Sequence, residues 1–271
     1  MKRALMALGC VMLLSACSGT ASIGPGGPTT FVMEGNPESP TGATWTYREV
    51  VDGTRYDLTG VLYKPPGTGP FPAVILSHGS EGSASFFASL VAPTFVQWGL
   101  VCIATNYTHS SGVAIGAPGD ATQPGASDAN VLRAHMTFEL LRRLGYVDMS
   151  RVALHGHSMG AYVNTALAGA YPSDFRAASQ TGGGVRPGYI IAGPAPSPTQ
   201  ALGIRVPFQL HHGEVDATVP LSYDQRFDSL LTASGVEHQL YVYPGEDHLQ
   251  VRTDASMFAR VHDWYAAHGM F

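Results

Sequence analysis

Charge is scarce in this chain and shows no basic excess. Only 13% of the 271 residues are charged, and 15 Lys and Arg against 20 Asp and Glu give a formal net charge of -5 at pH 7. The Lys and Arg residues are scattered along the sequence. Nucleic-acid binding and peripheral membrane binding both need a concentrated basic surface, so the composition argues against these two classes.

Cysteine is scarce as well. The chain has three cysteines, of which Cys10 and Cys17 lie close to its start. The third, Cys102, lies in the apolar, strand-like run LVCIATN (residues 100–106). We expect Cys102 to be a buried, inert thiol and the mature chain to have no intramolecular disulfide.

A short apolar run follows the basic start Met1-Lys2-Arg3. Residues 4–14 are too few to span a bilayer and are typical of a signal peptide. Leu-Ser-Ala-Cys at residues 14–17 resembles the lipobox of bacterial lipoproteins. The resemblance implies cleavage before Cys17, acylation of that cysteine and a lipid-anchored protein of the bacterial cell envelope, with Ser18 favouring the outer membrane. The alternative is a plain secretory signal and a periplasmic or secreted protein.

Composition divides the chain into three segments. Residues 1–16 are the predicted lipoprotein signal peptide. Residues 17–43 are the predicted lipidated tether, because Gly, Pro, Ser and Thr dominate there and little apolar surface is available for burial. Residues 44–271 are predicted to form one domain.

Strand patterns alternate with helix patterns from residue 44 onward. An antiparallel pair is predicted around the turn Asp52-Gly53, followed by apolar runs typical of strands buried on both faces. These further strands are PAVILSH, LVCIATN, RVALHGH, PFQLHHG and HQLYVYPG, with helices predicted over residues 85–99, 128–145 and 221–234 and at the carboxyl terminus. The alternation predicts an α/β fold with a mostly parallel central sheet and helices on both faces. Two Gly/Pro-rich regions, 108–127 and 181–200, are candidate pocket walls or lids.

The pentapeptide Gly-His-Ser-Met-Gly at residues 156–160 is the first motif that indicates chemistry. It follows the strand RVALH and precedes the helix-like AYVNTALAGAY, which is the context that a nucleophile elbow requires. Ser158 would occupy a sharp, strained turn at the positive end of the following helix. The alternative is a tight turn whose serine only caps that helix.

A serine hydroxyl needs a base and an acid, and two later loops supply candidates. After the strand PFQLHHG, the loop EVDATVP offers Glu214 and Asp216. After the strand HQLYVYPG, the loop EDHLQV offers His248, whose neighbour Asp247 is too close in sequence to point at it easily. An Asp on the first loop would hold the ring in its useful tautomer.

These residues resemble the α/β-hydrolase superfamily, and within it the dienelactone hydrolase-like and prolyl oligopeptidase-like serine hydrolases, over about residues 45–268. The segment HGEVDATVP resembles the His-Gly-x-x-Asp-x-x-Val-Pro pattern of this family, which favours Asp216 over Glu214. The resemblance implies a Ser158, Asp216 and His248 triad. Dienelactone hydrolases proper use a cysteine nucleophile, so their substrate is not carried over to a chain with serine.

The same resemblance implies an oxyanion hole. One backbone N–H is expected from Met159 and the other from Ser80, in the loop SHGSEGSASFF, with Glu81 as the neighbouring possibility and His78 as a structural support. No cofactor and no metal are expected.

The sequence therefore predicts a serine hydrolase that cleaves a small-molecule carboxylic ester through an acyl-enzyme on Ser158. A peptidase or amidase with the same triad is one alternative. A catalytically inactive, lipid-anchored binding protein is the other. Phe86, Phe87 and Tyr107 are candidates for the pocket lining, or else part of the core.

Overall fold

The computed structural model of the chain describes residues 29–80, 82–111, 124–186 and 194–271. The predicted signal peptide, Cys17, Glu81 and parts of the two predicted pocket walls, residues 112–123 and 187–193, lie outside these ranges. Within them, no helix has both the length and the apolarity needed to cross a bilayer.

One nine-stranded sheet organises the described residues, in the order β1-β2-β3-β5-β4-β6-β7-β8-β9. The strands are β1 (Thr30–Gly35), β2 (Ala43–Val51), β3 (Thr54–Tyr63), β4 (Phe71–Ser77), β5 (Val101–Thr105), β6 (Val147–His157), β7 (Ala177–Thr181), β8 (Phe208–Gly213) and β9 (His238–Tyr243). Strands β4 to β9 are mutually parallel, whereas β1, β2 and β3 are antiparallel to their neighbours. The prediction of a mostly parallel sheet is confirmed.

Helices cover both faces of this sheet, as the sequence predicts. They are α1 (Ala84–Gln97), α2 (Asp128–Arg143), α3 (Met159–Ala170), α4 (Pro198–Leu202), α5 (Ser222–Ala233) and α6 (Ala255–Ala267). Adjacent residues of β4 point to opposite sides: Ile75 belongs to the core that contains α2, α3 and α5, and Val74 to the core that contains α1 and α6. This two-sided burial explains why the parallel strands are continuous apolar runs. Cys102 of β5 is fully buried, and burial raises the pKa of its thiol.

Strand β1 lies inside the segment for which the sequence predicts a tether. Its pairing with β2 runs without a break from Thr30 opposite Arg48 to Gly35 opposite Ala43. Residues 30–35 are therefore part of the sheet, and the ordered domain starts before residue 44. The composition of residues 17–43 hides this strand because an edge strand gains its stability from backbone pairing and needs few buried side chains.

The carboxyl ends of the parallel strands form the edge at which loops carry polar side chains. The loop after β4 holds Ser80, the turn after β6 holds Ser158, and Gly182 directly follows β7. Asp216 follows β8 and His248 follows β9. Ligands of open α/β sheets bind at this edge, so the topology brings five separate chain segments to one candidate site.

Candidate active site

Ser158 stands on a strained turn between β6 and α3. Its backbone angles are φ 56° and ψ -123°, one of two positive φ values outside glycine in the described chain. A Cβ added at Gly160 would overlap the Ser77 carbonyl oxygen, and one at Gly156 would lie 2.7 Å from the Gly160 carbonyl oxygen. Both glycines are therefore required by close backbone packing, and strain of this kind is typical of functional turns.

His248 and Asp216 form a buried hydrogen-bonded pair. The distance from His248 Nδ1 to Asp216 Oδ2 is 2.6 Å, and Asp216 Oδ1 accepts the backbone N–H groups of Thr218 and Val219, each at 2.8 Å. Burial by itself would raise the pKa of Asp216, but the bonds from His248 and the two amides outweigh it, so the pKa lies below its ordinary value. Asp216 is thus held as a carboxylate against the His248 ring.

The two rival carboxylates have other partners. Glu214 Oε2 accepts the backbone N–H of Gly245 at 3.0 Å. Asp247 Oδ1 accepts the amides of Leu249 and Gln250, each at 2.9 Å, which closes the turn beside His248. The structure therefore brings Asp216 to the imidazole and leaves Glu214 and Asp247 as parts of the loop framework.

Gly182 connects the serine turn to the His–Asp pair, although no motif in the sequence marks it. The preceding residue, Thr181, accepts the Ser158 backbone N–H at 3.0 Å. A Cβ added at Gly182, where φ is 56°, would lie 2.9 Å from His248 Nδ1 and 3.3 Å from Asp216 Oδ2. Two consecutive residues thus contact both halves of the site, and the pair rests on a surface that only glycine leaves open.

In the described part of the chain, no hydrogen bond joins the Ser158 and His248 side chains. The contact between their loops runs through His157, whose ring centroid lies 4.6 Å from that of His248. Both Ser158 and His248 are nearly buried. A serine–histidine bond that closes only when substrate is present is common in hydrolases, so this geometry is compatible with proton transfer.

The predicted oxyanion donors, the backbone amides of Ser80 and Met159, belong to residues that line one cavity with Ser158. Neither amide N–H donates a hydrogen bond within the described residues.

The loop that carries Ser80 is held by His78. Its Nε2 accepts the Tyr107 N–H at 3.2 Å, so the proton is on Nδ1, which donates to the Gly79 carbonyl at 2.7 Å. Burial lowers the pKa of His78 to about 3, which keeps this tautomer neutral.

His155 and His157, the two histidines beside the serine, are buried, and their Nδ1 atoms face hydroxyl groups. Their Nδ1 atoms lie 2.8 Å from Ser179 Oγ and 2.9 Å from Thr181 Oγ1. Burial lowers the pKa of His155 to about 3 and that of His157 well below its ordinary value. Among the residues that the structure describes, no group of three or more His, Cys, Asp or Glu side chains could hold a metal ion.

Two cavities open on either side of Ser158. The large cavity has a volume of about 240 Å³ and is lined chiefly by Met159, Tyr162, Tyr223, several prolines and one cation, Arg186. The small cavity has about 10 Å³ and includes Phe86 and Phe87 in its lining. The predicted pocket residues therefore divide: Phe86 and Phe87 reach the site, whereas Tyr107 is fully buried and bonded to Ser77 at 2.8 Å.

Several curated proteins are similar in sequence to this chain. The human acylamino-acid-releasing enzyme is 23% identical over 258 residues, which cover 82% of this chain and 35% of that protein. Esterase FrsA of Enterobacter sp. is 30% identical over 111 residues, 41% of this chain and 25% of the esterase. The chain spans between 23% and 35% of the length of such curated relatives.

The solved structure of an S-formylglutathione hydrolase from Agrobacterium tumefaciens shares the fold. It superposes with a TM-score of 0.62 at 16% identity, over 88% of this chain and 98% of that one. Residues 58–267, most of the chain and all five segments of the site, match the dienelactone hydrolase family. This chain, with its α/β-hydrolase fold, belongs to the dienelactone hydrolase family of hydrolases.

Proposed function

We propose that this chain cleaves carboxylic esters through an acyl-enzyme on Ser158, with His248 as the general base and Asp216 as its acid partner. The observation that carries the proposal is the 2.6 Å His248–Asp216 pair resting on Gly182, directly beside the strained serine turn. A turn that served only to cap a helix would not need that neighbour, and the Ser158 side chain makes no capping bond.

Acylation begins when His248 Nε2 takes the proton of the Ser158 hydroxyl as Oγ attacks the ester carbonyl carbon. The new C–O bond pushes the carbonyl electron pair onto oxygen, where the amides of Ser80 and Met159 receive it. Asp216 accepts a hydrogen bond from His248 Nδ1–H, so the Nε2 lone pair faces the serine and the imidazolium that forms is stabilised.

The tetrahedral intermediate then collapses. The bond to the leaving alcohol breaks, and His248 gives its proton to the departing oxygen. Water enters in place of the alcohol, loses a proton to His248 and attacks the acyl-enzyme. The second collapse returns the proton to Ser158 Oγ and releases the carboxylic acid, so the cycle consumes one water and needs no cofactor.

The large cavity supports a small ester whose acyl or alcohol part is neutral or anionic. Its described lining is apolar and aromatic with Arg186 as the one cation, and it contains no Asp or Glu that could bind an amine. The likeness to esterase FrsA and to the fold of S-formylglutathione hydrolase also supports ester-type substrates. The likeness to acylamino-acid-releasing enzyme supports amide cleavage as the second candidate.

Matched p-nitrophenyl esters and p-nitroanilides with the same short acyl groups test the proposal. We expect measurable turnover of the esters, at least about 100-fold slower turnover of the anilides, and loss of ester turnover in Ser158→Ala. The thermal melt of Ser158→Ala should stay close to that of the wild type. Ester turnover that survives this substitution would contradict the proposal, and equal or faster anilide turnover would make the chain an amidase.

A further inference from the structure

A second histidine–aspartate pair lies directly behind the first. His212 of β8 has its Nδ1 atom 2.8 Å from Asp224 Oδ2 on α5 and its Nε2 atom 2.9 Å from the Val219 carbonyl oxygen. His212 Nε2 also lies 3.4 Å from Asp216 Oδ2, the oxygen that binds His248. The His212, Asp216 and Asp224 side chains have no exposed surface.

The partners of His212 determine where its protons are. The Val219 carbonyl can only accept a hydrogen bond, so Nε2 carries a proton. Asp224 accepts from Gln180 Nε2 at 2.7 Å through its other oxygen, which is the environment of an ionised carboxylate. The proton between Asp224 and Nδ1 then belongs to the imidazole, the stronger base of the two. Each ring nitrogen of His212 therefore faces an acceptor oxygen, which is the environment of a protonated imidazole.

The surrounding charges favour the same state. Facing His212 are Asp224 from α5, Asp216 from the loop after β8 and, beyond Asp216, His248 from the loop after β9. Tyr162 of α3 interacts with both carboxylates, which contribute to the rise in its pKa. Burial alone would lower the pKa of His212, but Asp224, the Val219 carbonyl and Asp216 together raise it above its ordinary value. Two buried carboxylates so close would repel each other without a cation between them.

We propose that His212 is a positioning residue for the catalytic pair: a protonated imidazole that holds Asp216 ionised and in place, with Asp224 as its counter-ion. This inference rests on the proposed function, in which Asp216 partners His248. It extends the site to an Asp224–His212–Asp216–His248 chain that crosses from α5 to the loop after β9.

His212 also fixes the turn that aims Asp216. Its Nε2–H binds the Val219 carbonyl, while the Val219 N–H binds Asp216 Oδ1 at 2.8 Å. The ring therefore contacts Asp216 both through space and through the Val219 peptide group. A neutral, purely structural residue could replace the second contact but not the charge.

The positive charge of His212 should have a measurable effect on His248, the proposed general base. His212 Nε2 and His248 Nδ1 contact the same Asp216 oxygen, at 3.4 and 2.6 Å, so these nitrogens lie at most about 6 Å apart. At that separation two positive charges repel each other, so a charge on His212 opposes protonation of the neighbouring ring. Removing the His212 charge should therefore raise the midpoint at which His248 takes up a proton.

Nitrogen-15 NMR on the full-length protein tests the protonation state without turnover. We expect both ring nitrogens of His212 to give the chemical shifts of protonated imidazolium nitrogens at about pH 7, in the wild type. A His212 ring with one unprotonated nitrogen at that pH would overturn the inference and leave the proposed esterase function untouched.

The effect on His248 is measured by titrating its NMR signal, and the acid limb of kcat/KM for a p-nitrophenyl ester, in three variants. His212→Gln keeps a donor for the Val219 carbonyl and should raise both midpoints by about one pH unit. Asp224→Asn removes the counter-ion, lets His212 become neutral and should raise the two midpoints by less.

His211→Gln is the matched control, because the buried His211 ring bonds Tyr243 and Gln209 and no carboxylate among the described residues. Unchanged midpoints in His212→Gln would overturn the positioning role.

Discussion

The two sides of Ser158 contain equally buried histidines in opposite electrostatic settings. On the β8–β9 side, His212 and His248 contact carboxylates, at 2.8 and 2.6 Å. On the β4–β6 side, His78, His155 and His157 contact carbonyl and hydroxyl oxygens or aromatic rings. Burial lowers the pKa of all three on this second side, whereas the pKa of His212 is raised.

The difference shows that the hydrogen-bond partner, and not burial alone, decides the direction in which the pKa of a buried imidazole moves. The β8–β9 side can hold and move a proton because its carboxylates stabilise imidazolium. The three histidines of the β4–β6 side have lowered pKa values and stay neutral, and Arg252 lines the small cavity beside them. In the proposed mechanism, the charge that develops on this side is the oxyanion on the backbone amides of Ser80 and Met159. Separation of proton transfer from oxyanion binding is the feature that the following predictions test.

Asp216→Asn should have the largest effect, because it removes the carboxylate on the charged side. Asparagine can donate to His248 Nδ1 and so favour the wrong tautomer, and we expect kcat/KM for a p-nitrophenyl ester to fall by roughly three to four orders of magnitude. Glu214→Gln is the matched control, since Glu214 binds Gly245 instead, and should stay within about twofold of the wild type. A large loss of kcat/KM in Glu214→Gln with little loss in Asp216→Asn would assign the acid to Glu214.

Gly182→Ala tests the boundary between the two sides. The added Cβ would lie 2.9 Å from His248 Nδ1, so the His–Asp pair must shift, and we expect kcat/KM to fall by roughly 100-fold. Gly145→Ala carries the same backbone strain, with φ 72°, but meets no atom within 4 Å. It should lose about 1 kcal/mol of stability in urea unfolding while keeping its activity. Equal activities for the two variants would show that Gly182 does not support the pair.

The buried neutral histidines of the β4–β6 side should determine how the free energy of unfolding changes as the pH is lowered. His78 and His155 have pKa values of about 3 in the folded chain against 6.5 in the unfolded chain, so only the unfolded chain takes up protons between these limits. The contribution of these histidines to the free energy of unfolding is therefore fully present above about pH 6.5. It falls as the pH is lowered toward 3, by up to about 1.4 kcal/mol per pH unit for each such histidine.

Urea unfolding across this pH range checks that slope. His155→Phe should lower the slope of the free energy of unfolding against pH by up to about 1.4 kcal/mol per pH unit, because one titrating group is lost. The new phenyl ring can still stack on Phe87. A free energy of unfolding that stays constant from pH 6.5 to 4.5 would mean that the β4–β6 side accepts charge, and the contrast between the two sides would fail.

The sheet could be predicted, and Ser158, Asp216 and His248 could be named as candidates, because each leaves a local signal in the sequence. Apolar runs indicate buried parallel strands, and the Gly-His-Ser-Met-Gly turn has to follow such a strand. Strand β7 was missed because its sequence AASQT is polar and short, and it is buried through Ser179 and Gln180 bonds to other elements. Strand β1 was missed because backbone pairing with β2 holds it.

Long-range contacts could not be predicted from one sequence. The local pattern HGEVDATVP favoured Asp216, but nothing in it shows that His212 reaches Asp224, 12 residues later on α5. Gly182 lies in the run Gly182-Gly183-Gly184, where composition indicates a loop and gives no hint that His248 rests against it. These contacts depend on the order of the strands in the sheet.

Labelling with a fluorophosphonate probe, followed by peptide mass spectrometry, tests the central claim most directly. A serine hydroxyl activated by His248 should form a single adduct on Ser158 in the wild type, with labelling at least about 100-fold slower in His248→Gln. Absence of an adduct on Ser158, or undiminished labelling without His248, would contradict the assignment of Ser158 as the activated nucleophile.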